Sequence, residues 1–432
     1  LTRILSLYTL LLVACTWRLW FAVSDFPMVP WLPLPDAVGP WLTRLDQIAA
    51  ALLVGALVGL TLVSFRDPRS PAGGASGMRR FWLLALVALG WLVFTNQHRL
   101  QPWAYHFLLS GWILLVYPRE RAERLLLVLL CSVYAFSAWN KIDQRFLATT
   151  GDLMMRTAAS WFHAEARSLP PGSFARAACV LPLGETLLAV GLAYPGTRAA
   201  ARVLAIVMHG GLLLVLGPWG LQQRWGVLVW NLSFATQAWY LAKATRAPQA
   251  AVAASESRPA MQSCGRWIPL AVALFMPVLE PWNLWDHWPS WGLYSARAGR
   301  LELLLSAEAA DRLPASAKEF LDPRLVDGVW RRLALDRWSL ESLDAPLYPQ
   351  PRFQWGVCLS VLNSLPRASG PAIVLEHLPP DRVTGRAERR TWGGEEAVRR
   401  GTGEFWFNTR PRPSVRWTNA AAAMPLEVSS QP

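Results

Sequence analysis

The chain has 432 residues, 53% of them hydrophobic and only 16% charged, and its mean hydropathy is positive. That is too little charge for an ordinary soluble globular protein. The net charge of +13 invites a nucleic-acid reading, but the Lys and Arg residues are spread over loops and a tail. With no dense basic run and no recognition motif, nucleic acid is excluded as a partner.

Nine mostly apolar stretches of bilayer length, at 4–22, 45–65, 81–97, 102–117, 123–140, 174–194, 199–217, 223–242 and 267–285, predict an all-α polytopic transmembrane bundle. Helices are the form in which such segments satisfy their backbone in lipid. The run Leu12, Val13, Ala14, Cys15 resembles a lipoprotein cleavage box, yet the apolar pattern continues through Trp17, Leu19, Trp20 and Phe21, which favours an uncleaved first helix. Many of the 25 Trp residues fall at the ends of these stretches, as interfacial belts do.

Positive connections alternate with acidic or balanced ones. Arg66, Arg69, Arg79 and Arg80, then Arg119, Arg121 and Arg124, then Arg198 and Arg202, then Lys243, Arg246, Arg258 and Arg266 mark cytoplasmic loops. Asp25, Asp36 and Asp46 lie on the other side. This predicts a bacterial inner-membrane protein with a cytoplasmic amino terminus. The expected organisation is an eight-helix body over 1–243, a cytoplasmic Ala/Ser/Pro-rich linker over 244–266, a ninth transmembrane helix over 267–287 and a small extracytoplasmic α+β cap over 288–432, disordered from Ala420. The moderately apolar connection from Lys141 to Ser173 reads as an interfacial amphipathic helix, with a re-entrant piece as the alternative.

Polar residues inside the spans are the handle on function, because they are costly in lipid and face a partner or a cavity. Glu185 is 11 residues before the turn near Gly196, His209 is 13 after it, and His209 and Asn231 are each 11 from the turn near Gly220. The three should share a layer near the midplane, close enough to hydrogen-bond. Above them lie Asn140 and Lys141, with Tyr134 and Ser137 on the same helical face as Lys141. Asn96, Gln97, His98, Arg99, Gln101 and Trp103 mark the hairpin between spans three and four; His106 is one turn deeper and Glu280 lies in the last span. A polar cavity would gather Asn140, Lys141, Glu185, His209, Asn231, His106 and Gln101 as ligand-binding residues, with Lys141, Glu185 and His209 as catalytic candidates. The alternative is that these groups only fasten helices together.

The run Tyr134, Ser137, Ala138, Lys141, Phe146, Gly151, then Pro182, Glu185, Gly191, Arg198 and His209 resembles the bundle core of the DoxX and MauE bacterial membrane proteins. It is also similar to the HTTM domain, the transmembrane part related to vitamin K-dependent gamma-carboxylase. The first resemblance implies thiol or quinone redox balance, although Cys15, Cys131, Cys179, Cys264 and Cys358 form no CxxC pair. The second implies a Lys base, for which Lys141 is the position, acting with reduced vitamin K and carbon dioxide, in a chain whose large lumenal half is absent or much shortened.

In the tail, Trp282, Trp285, Trp288 and Trp291 read as an anchoring belt. Leu301–Leu305, Ala372–Leu378 and Phe405–Asn408 read as strands, while Ala307–Phe320 and Leu325–Leu340 read as helical or mixed. Pro346–Pro351 should interrupt regular structure. Glu376 and His377 fall on opposite faces of a strand, and Asp286 with His287 reads as a solvated pair. Metal binding is not expected.

Three functional readings result. One is a redox- or quinone-linked membrane component, with a quinone or other isoprenoid lipid as its ligand. A second is a non-catalytic scaffold, in contact with membrane lipid, whose cap docks a periplasmic protein. The last is a carboxylase-like enzyme or transporter.

Overall fold

The computed structural model describes the chain except residues 22–23, 36–38, 66–73, 246–263, 296, 367–369, 395–400 and 413–432. The expected linker over 244–266 lies almost wholly outside the described residues, as do Asp36, Arg66, Arg69, Arg246, Arg258 and the tail from Ala420.

Helices form in all nine apolar stretches. In chain order they are α1 (Thr2–Cys15), α2 (Trp17–Phe21), α3 (Gly39–Val63), α4 (Gly74–Thr95), α5 (Pro102–Val116), α6 (Arg119–Lys141), the short α7 (Gln144–Phe146), α8 (Asp152–Ala159), α9 (Val180–Ala193), α10 (Arg198–Leu216), α11 (Trp225–Ala244) and α12 (Ile268–Phe275). Four of them, over Trp41–Val63, Ser76–Thr95, Arg119–Lys141 and Arg198–Leu216, are long and apolar enough to cross a membrane. Helices over Thr2–Cys15, Pro102–Val116, Ala177–Ala193 and Ile268–Trp282 are apolar but shorter.

Two of the expected spans are not single helices. The first breaks at Thr16, whose hydroxyl donates to the Leu12 carbonyl at 2.7 Å and accepts from Trp20 Nε1 at 2.9 Å. In the last, α12 gives way to a 3₁₀ turn over Met276–Trp282, where Pro277 and Pro281 withdraw two backbone donors. The chain then reverses at Asn283, which adopts a left-handed conformation.

Helix α3 packs along α4, α6 along α9, and α10 along α11, with α1 between α3 and α11. Ser6 bonds Thr61 at 2.8 Å and Tyr8 bonds Thr236 at 2.9 Å, fixing α1 to both neighbours. Successive body helices alternate in direction. The start of α1 meets the end of α3 through Arg3 and the Ser64 carbonyl, and the start of α10 meets the end of α11 through Arg198 and the Thr245 carbonyl. At this end Arg3 lies over Phe65, Arg121 over Tyr117 and Trp267, and Arg202 over Trp239.

The opposite end carries the cap. Its five-stranded antiparallel sheet has the order β2-β3-β1-β4-β5, from β1 (Arg300–Leu305), β2 (Leu321–Val326), β3 (Trp330–Leu333), β4 (Ala372–His377) and β5 (Arg389–Gly393). The short helices α13 (Ala307–Asp311) and α14 (Ala315–Lys318) follow β1, while α15 (Leu335–Leu343) and α16 (Pro351–Ser364) follow β3. Leu303 pairs with both Leu333 and Val374, and all three side chains are buried. Strands β1 and β4 are the expected ones, and Glu376 and His377 do point apart: Glu376 accepts from Trp392 Nε1 at 2.9 Å while His377 faces Glu302. Phe405–Asn408 is not a strand, and the mixed segment 325–340 resolves into the end of β2, then β3 and the start of α15. Pro351 does not end regular structure but opens α16, where its missing N–H costs nothing.

Cap and body share one continuous core. Phe26 packs edge-on against Trp338, Trp31 against Phe407, and the His98 ring lies between Phe26 and Phe353. At the junction, buried Asp46 accepts from Arg99 and Arg412, each at 2.8 Å, from Thr95 at 2.9 Å and from Trp91 at 3.2 Å. The remaining Arg99 donors reach the carbonyls of Leu19 at 3.0 Å and Trp20 at 3.2 Å, capping the end of α2. Gln97 donates to Pro30 and Asn408 carbonyls and accepts from Arg352 at 3.0 Å.

The hairpin polar residues therefore serve cap docking. Removing the Asp46 carboxylate leaves two guanidinium groups in a dry junction, and breaking one partner of a buried pair costs about 3–5 kcal/mol. Asp46→Ala is expected to lower the thermal midpoint in detergent and expose the cap to limited proteolysis, and an unchanged digestion pattern would contradict this role. A second test uses pH. Burial pushes the His98 imidazole down from 6.5 to about 4, so the neutral ring, bonded through Nε2 to the Pro346 carbonyl at 2.9 Å, is the form that docks. A depressed histidine contributes stability fully above its unfolded value and loses it as pH falls from about 6.5 toward about 4, by up to about 3 kcal/mol. Acid should loosen the cap over that window, and His98→Gln should flatten the pH dependence of the thermal midpoint.

Candidate functional site

The sequence of α6 puts Tyr134, Ser137 and Lys141 at spacings of three and four residues, one above another on one face. That face looks into the space between α9, α10 and α11. Lys141, the last residue of α6, is buried, and its ammonium turns back one turn into the bundle rather than out to the surface. It donates to Glu185 Oε1 at 2.8 Å, Glu185 Oε2 at 2.9 Å and Ser137 Oγ at 2.5 Å. Ser137 Oγ in turn donates to Glu185 Oε1 at 3.0 Å. All three ammonium protons are thus committed, while the carboxylate keeps one lone-pair position free on Oε2.

A second string starts one turn earlier. Tyr134 and His209 Nε2 are 2.8 Å apart, His209 Nδ1 is 3.2 Å from Asn231 Oδ1, and Asn231 Nδ2 donates to the Val227 carbonyl at 2.9 Å. With the Asn231 amide nitrogen committed to Val227, its oxygen must accept from His209 Nδ1–H. A neutral His209 with its hydrogen on Nδ1 satisfies all three groups, with Tyr134 donating to Nε2.

Both strings line one cavity of about 50 Å³, enough for a few waters at roughly 10–15 Å³ each. Its other walls are mostly apolar, including Met154 of α8, Leu181 of α9, Met208 and Leu212 of α10, and Trp230 and Phe234 of α11. The expected amphipathic piece after Lys141 is present as α8, with Met154 buried against the body. Asp152 anchors it, accepting from the Phe174 amide at 2.7 Å and pairing with Arg156.

The roof is the loop after α12. The expected Trp belt is broken: Trp282 is exposed and Trp285 half-buried, but Trp288 and Trp291 are buried in protein. Trp291 inserts beside Tyr105 and His106 of α5, while Leu293 and Tyr294 face the cavity. Trp291 and Tyr294 both hold positive φ, 58° and 59°, strained backbone for side chains of this size. Three polar ties hold the loop. Asn140 donates to the Ser290 carbonyl at 2.8 Å, Glu280 takes His287 at 3.0 Å and Arg297 at 3.3 Å, and Asp286 is gripped by Arg352 and Tyr348 of the cap. Asp286 and His287 are therefore two separate buried anchors rather than a solvated pair.

The expected layer exists in altered form. Glu185, Asn231 and His209 lie five, six and seven residues from the cap-side ends of their helices, about 8 to 10 Å deep at 1.5 Å per residue. That is one level, displaced from the midplane toward the cap. Within it Glu185 bonds Lys141 and Ser137, not His209 or Asn231. Of the seven expected ligand-binding residues, Lys141, Glu185, His209 and Asn231 line the cavity. Asn140 holds the roof, Gln101 donates to the His98 carbonyl at 2.8 Å, and His106 packs among Trp230, Phe234 and Trp291. Tyr294 was not expected, since it follows a segment read as leaving the bilayer. Among the described residues no three His, Cys, Asp or Glu side chains gather as metal ligands.

No family model, curated protein or solved structure matches this chain.

The Lys141–Glu185 pair is testable as a unit. Lys141→Met or Glu185→Leu alone strands one charge and is expected to cost about 3–5 kcal/mol, whereas the double variant should recover most of the loss. Additive losses in denaturation of the reconstituted protein would show that the two side chains act separately.

Proposed function

We propose that this chain is an integral membrane protein that holds the hydroxyl-bearing head of a lipid-soluble ligand, of the quinol or related isoprenoid class, in the cavity between α6, α9, α10 and α11. The single observation that carries the reading is the state of the Lys141–Glu185 pair. The ammonium has no proton left to offer, and the free position on Glu185 accepts. A ligand that donates an O–H fits this better than one that presents only carbonyl oxygens, so the reduced quinone is favoured over the oxidised one. Glu185 is then the proton acceptor, Lys141 and Ser137 its positioning groups, and the Tyr134–His209–Asn231 string a second polar contact. Room for a few waters is less than a ring needs, and Met154 and Met208 are the flexible side chains whose displacement admits one.

The proposed setting is the bacterial inner membrane, with nine membrane segments, a cytoplasmic amino terminus and the cap outside. Supporting it are the arginines at the end away from the cap. A DoxX- or HTTM-like ancestry belongs to the same proposal, with Lys141 at the position of the lysine that follows a helix in those bundles. A scaffold reading has its own support, because Trp406 and Val383 on the cap are 98% and 83% exposed and offer apolar contacts to a partner protein.

Binding of a short-chain benzoquinol and of its quinone to the protein in detergent, followed by calorimetry, separates these readings. The quinol is expected to bind more tightly, and Glu185→Gln combined with Lys141→Met, a neutral pair of similar volume, should abolish the preference. Equal binding of both forms, or binding unaffected by the double variant, overturns the ligand reading and leaves the scaffold.

A further inference from the structure

The cavity has a roof and a wall, and they differ in how they are closed. In the roof, Ser290 and Trp291 are fully buried and the loop is tied at Asn140, Glu280 and Asp286. The cap stands above it, with Arg382 reaching the Trp139 carbonyl at 3.2 Å. A solute arriving from water would have to undo several charged contacts.

The wall between α9 and α10 is built differently. Near the end away from the cap the two helices touch closely, where a Cβ on Gly191 would sit 3.0 Å from Ala201 Cβ. Two turns nearer the cap a Cβ on Gly184 would meet only the Met208 sulfur within 4 Å, at 3.6 Å. The seam at that level is met by one flexible thioether. Glu185, the next residue along α9, lines the cavity together with Met208, and 12% of its side chain is exposed against 5% for Lys141. The flanking residues Leu183, Leu187 and Val207 are exposed and apolar, as a lipid-facing surface requires.

We infer that the cavity is loaded sideways from the cap-side leaflet, through the seam between α9 and α10 at Gly184 and Met208, so that its ligand is a membrane-borne amphiphile and not a solute of the aqueous phase. This rests on the reading of the cavity as a lipid-ligand site, but it concerns the route and is tested without the ligand.

The probe is a pair of carbodiimides applied to the full chain in phospholipid vesicles: membrane-soluble dicyclohexylcarbodiimide, and a permanently charged, water-soluble analogue. A protonated carboxyl adds across one C=N bond, oxygen to carbon and proton to nitrogen, and the acyl group then migrates to nitrogen as a stable acylurea found by peptide mass spectrometry. Because Lys141 pairs with the Glu185 carboxyl group, the measurement is made on Lys141→Met as well as on the unaltered chain. The membrane-soluble reagent is expected to modify Glu185 in Lys141→Met and the charged reagent to leave it untouched. Gly184→Leu added to that background should lose most of the modification by filling the seam, while Gly184→Ala, whose methyl group fits at 3.6 Å, should retain it. Elution as a single species in detergent controls for folding. Modification by the charged reagent, no modification by either, or full modification in the Gly184→Leu background each overturns the lateral route. If the route holds and no quinol binds, the seam stands and the ligand class of the preceding section falls.

Discussion

One buried carboxylate organises the cap end of this molecule. Asp46 sits where α3 begins, between a guanidinium from the α4–α5 hairpin and one from near the end of the described chain, and neither arginine has water to turn to. A charge in such a place must be paired and hydrogen-bonded or the fold opens around it. Because Arg412 arrives from the cap and Arg99 holds the end of α2, satisfying Asp46 brings three distant parts of the sequence together. With the cap seated, Arg352 is delivered to Asp286, and Asp286 fixes the loop that roofs the cavity. The strained backbone of Trp291 and Tyr294 is tolerable only because that chain of contacts over-determines it. The polar site within the bundle thus depends on a pairing made outside it.

Much of the body was legible beforehand, and for a simple reason. In lipid the backbone has one economical solution, so length and apolarity mark helices wherever they occur. Depth was legible too, since turn-to-residue distances placed Glu185, His209 and Asn231 at one level. What could not be read was azimuth. Counting along a helix gives height but not which neighbour a side chain faces, so the sequence gathers Lys141, Glu185, His209 and Asn231 in one cavity without saying which of them pair. The Lys141 side chain turns inward and takes Glu185 away from His209. The Trp282–Trp291 repeat misled in a comparable way, because the three-residue spacing that suits an interfacial belt also suits a chain that breaks at Pro281 and returns into protein. The hairpin residues Gln97 and His98 read as polar groups of a cavity, but they dock the cap instead. Their partners, Pro346, Arg352 and Asn408, are some 250 to 310 residues away, beyond any local pattern.

The arrangement inside the bundle is hard to explain as fastening alone. An ion pair in an apolar setting is weak evidence for stability, since well-packed apolar residues of the same volume are often as stable or more so. Helices α6 and α9 already share buried Leu126, Leu130, Leu188 and Leu192 and do not need a lysine to hold them. A fastener would also be expected to exhaust its hydrogen bonds on both sides. Here the cationic partner is exhausted and the anionic one, which lines the cavity, is not. That asymmetry of donors and acceptors is what the proposed ligand site rests on.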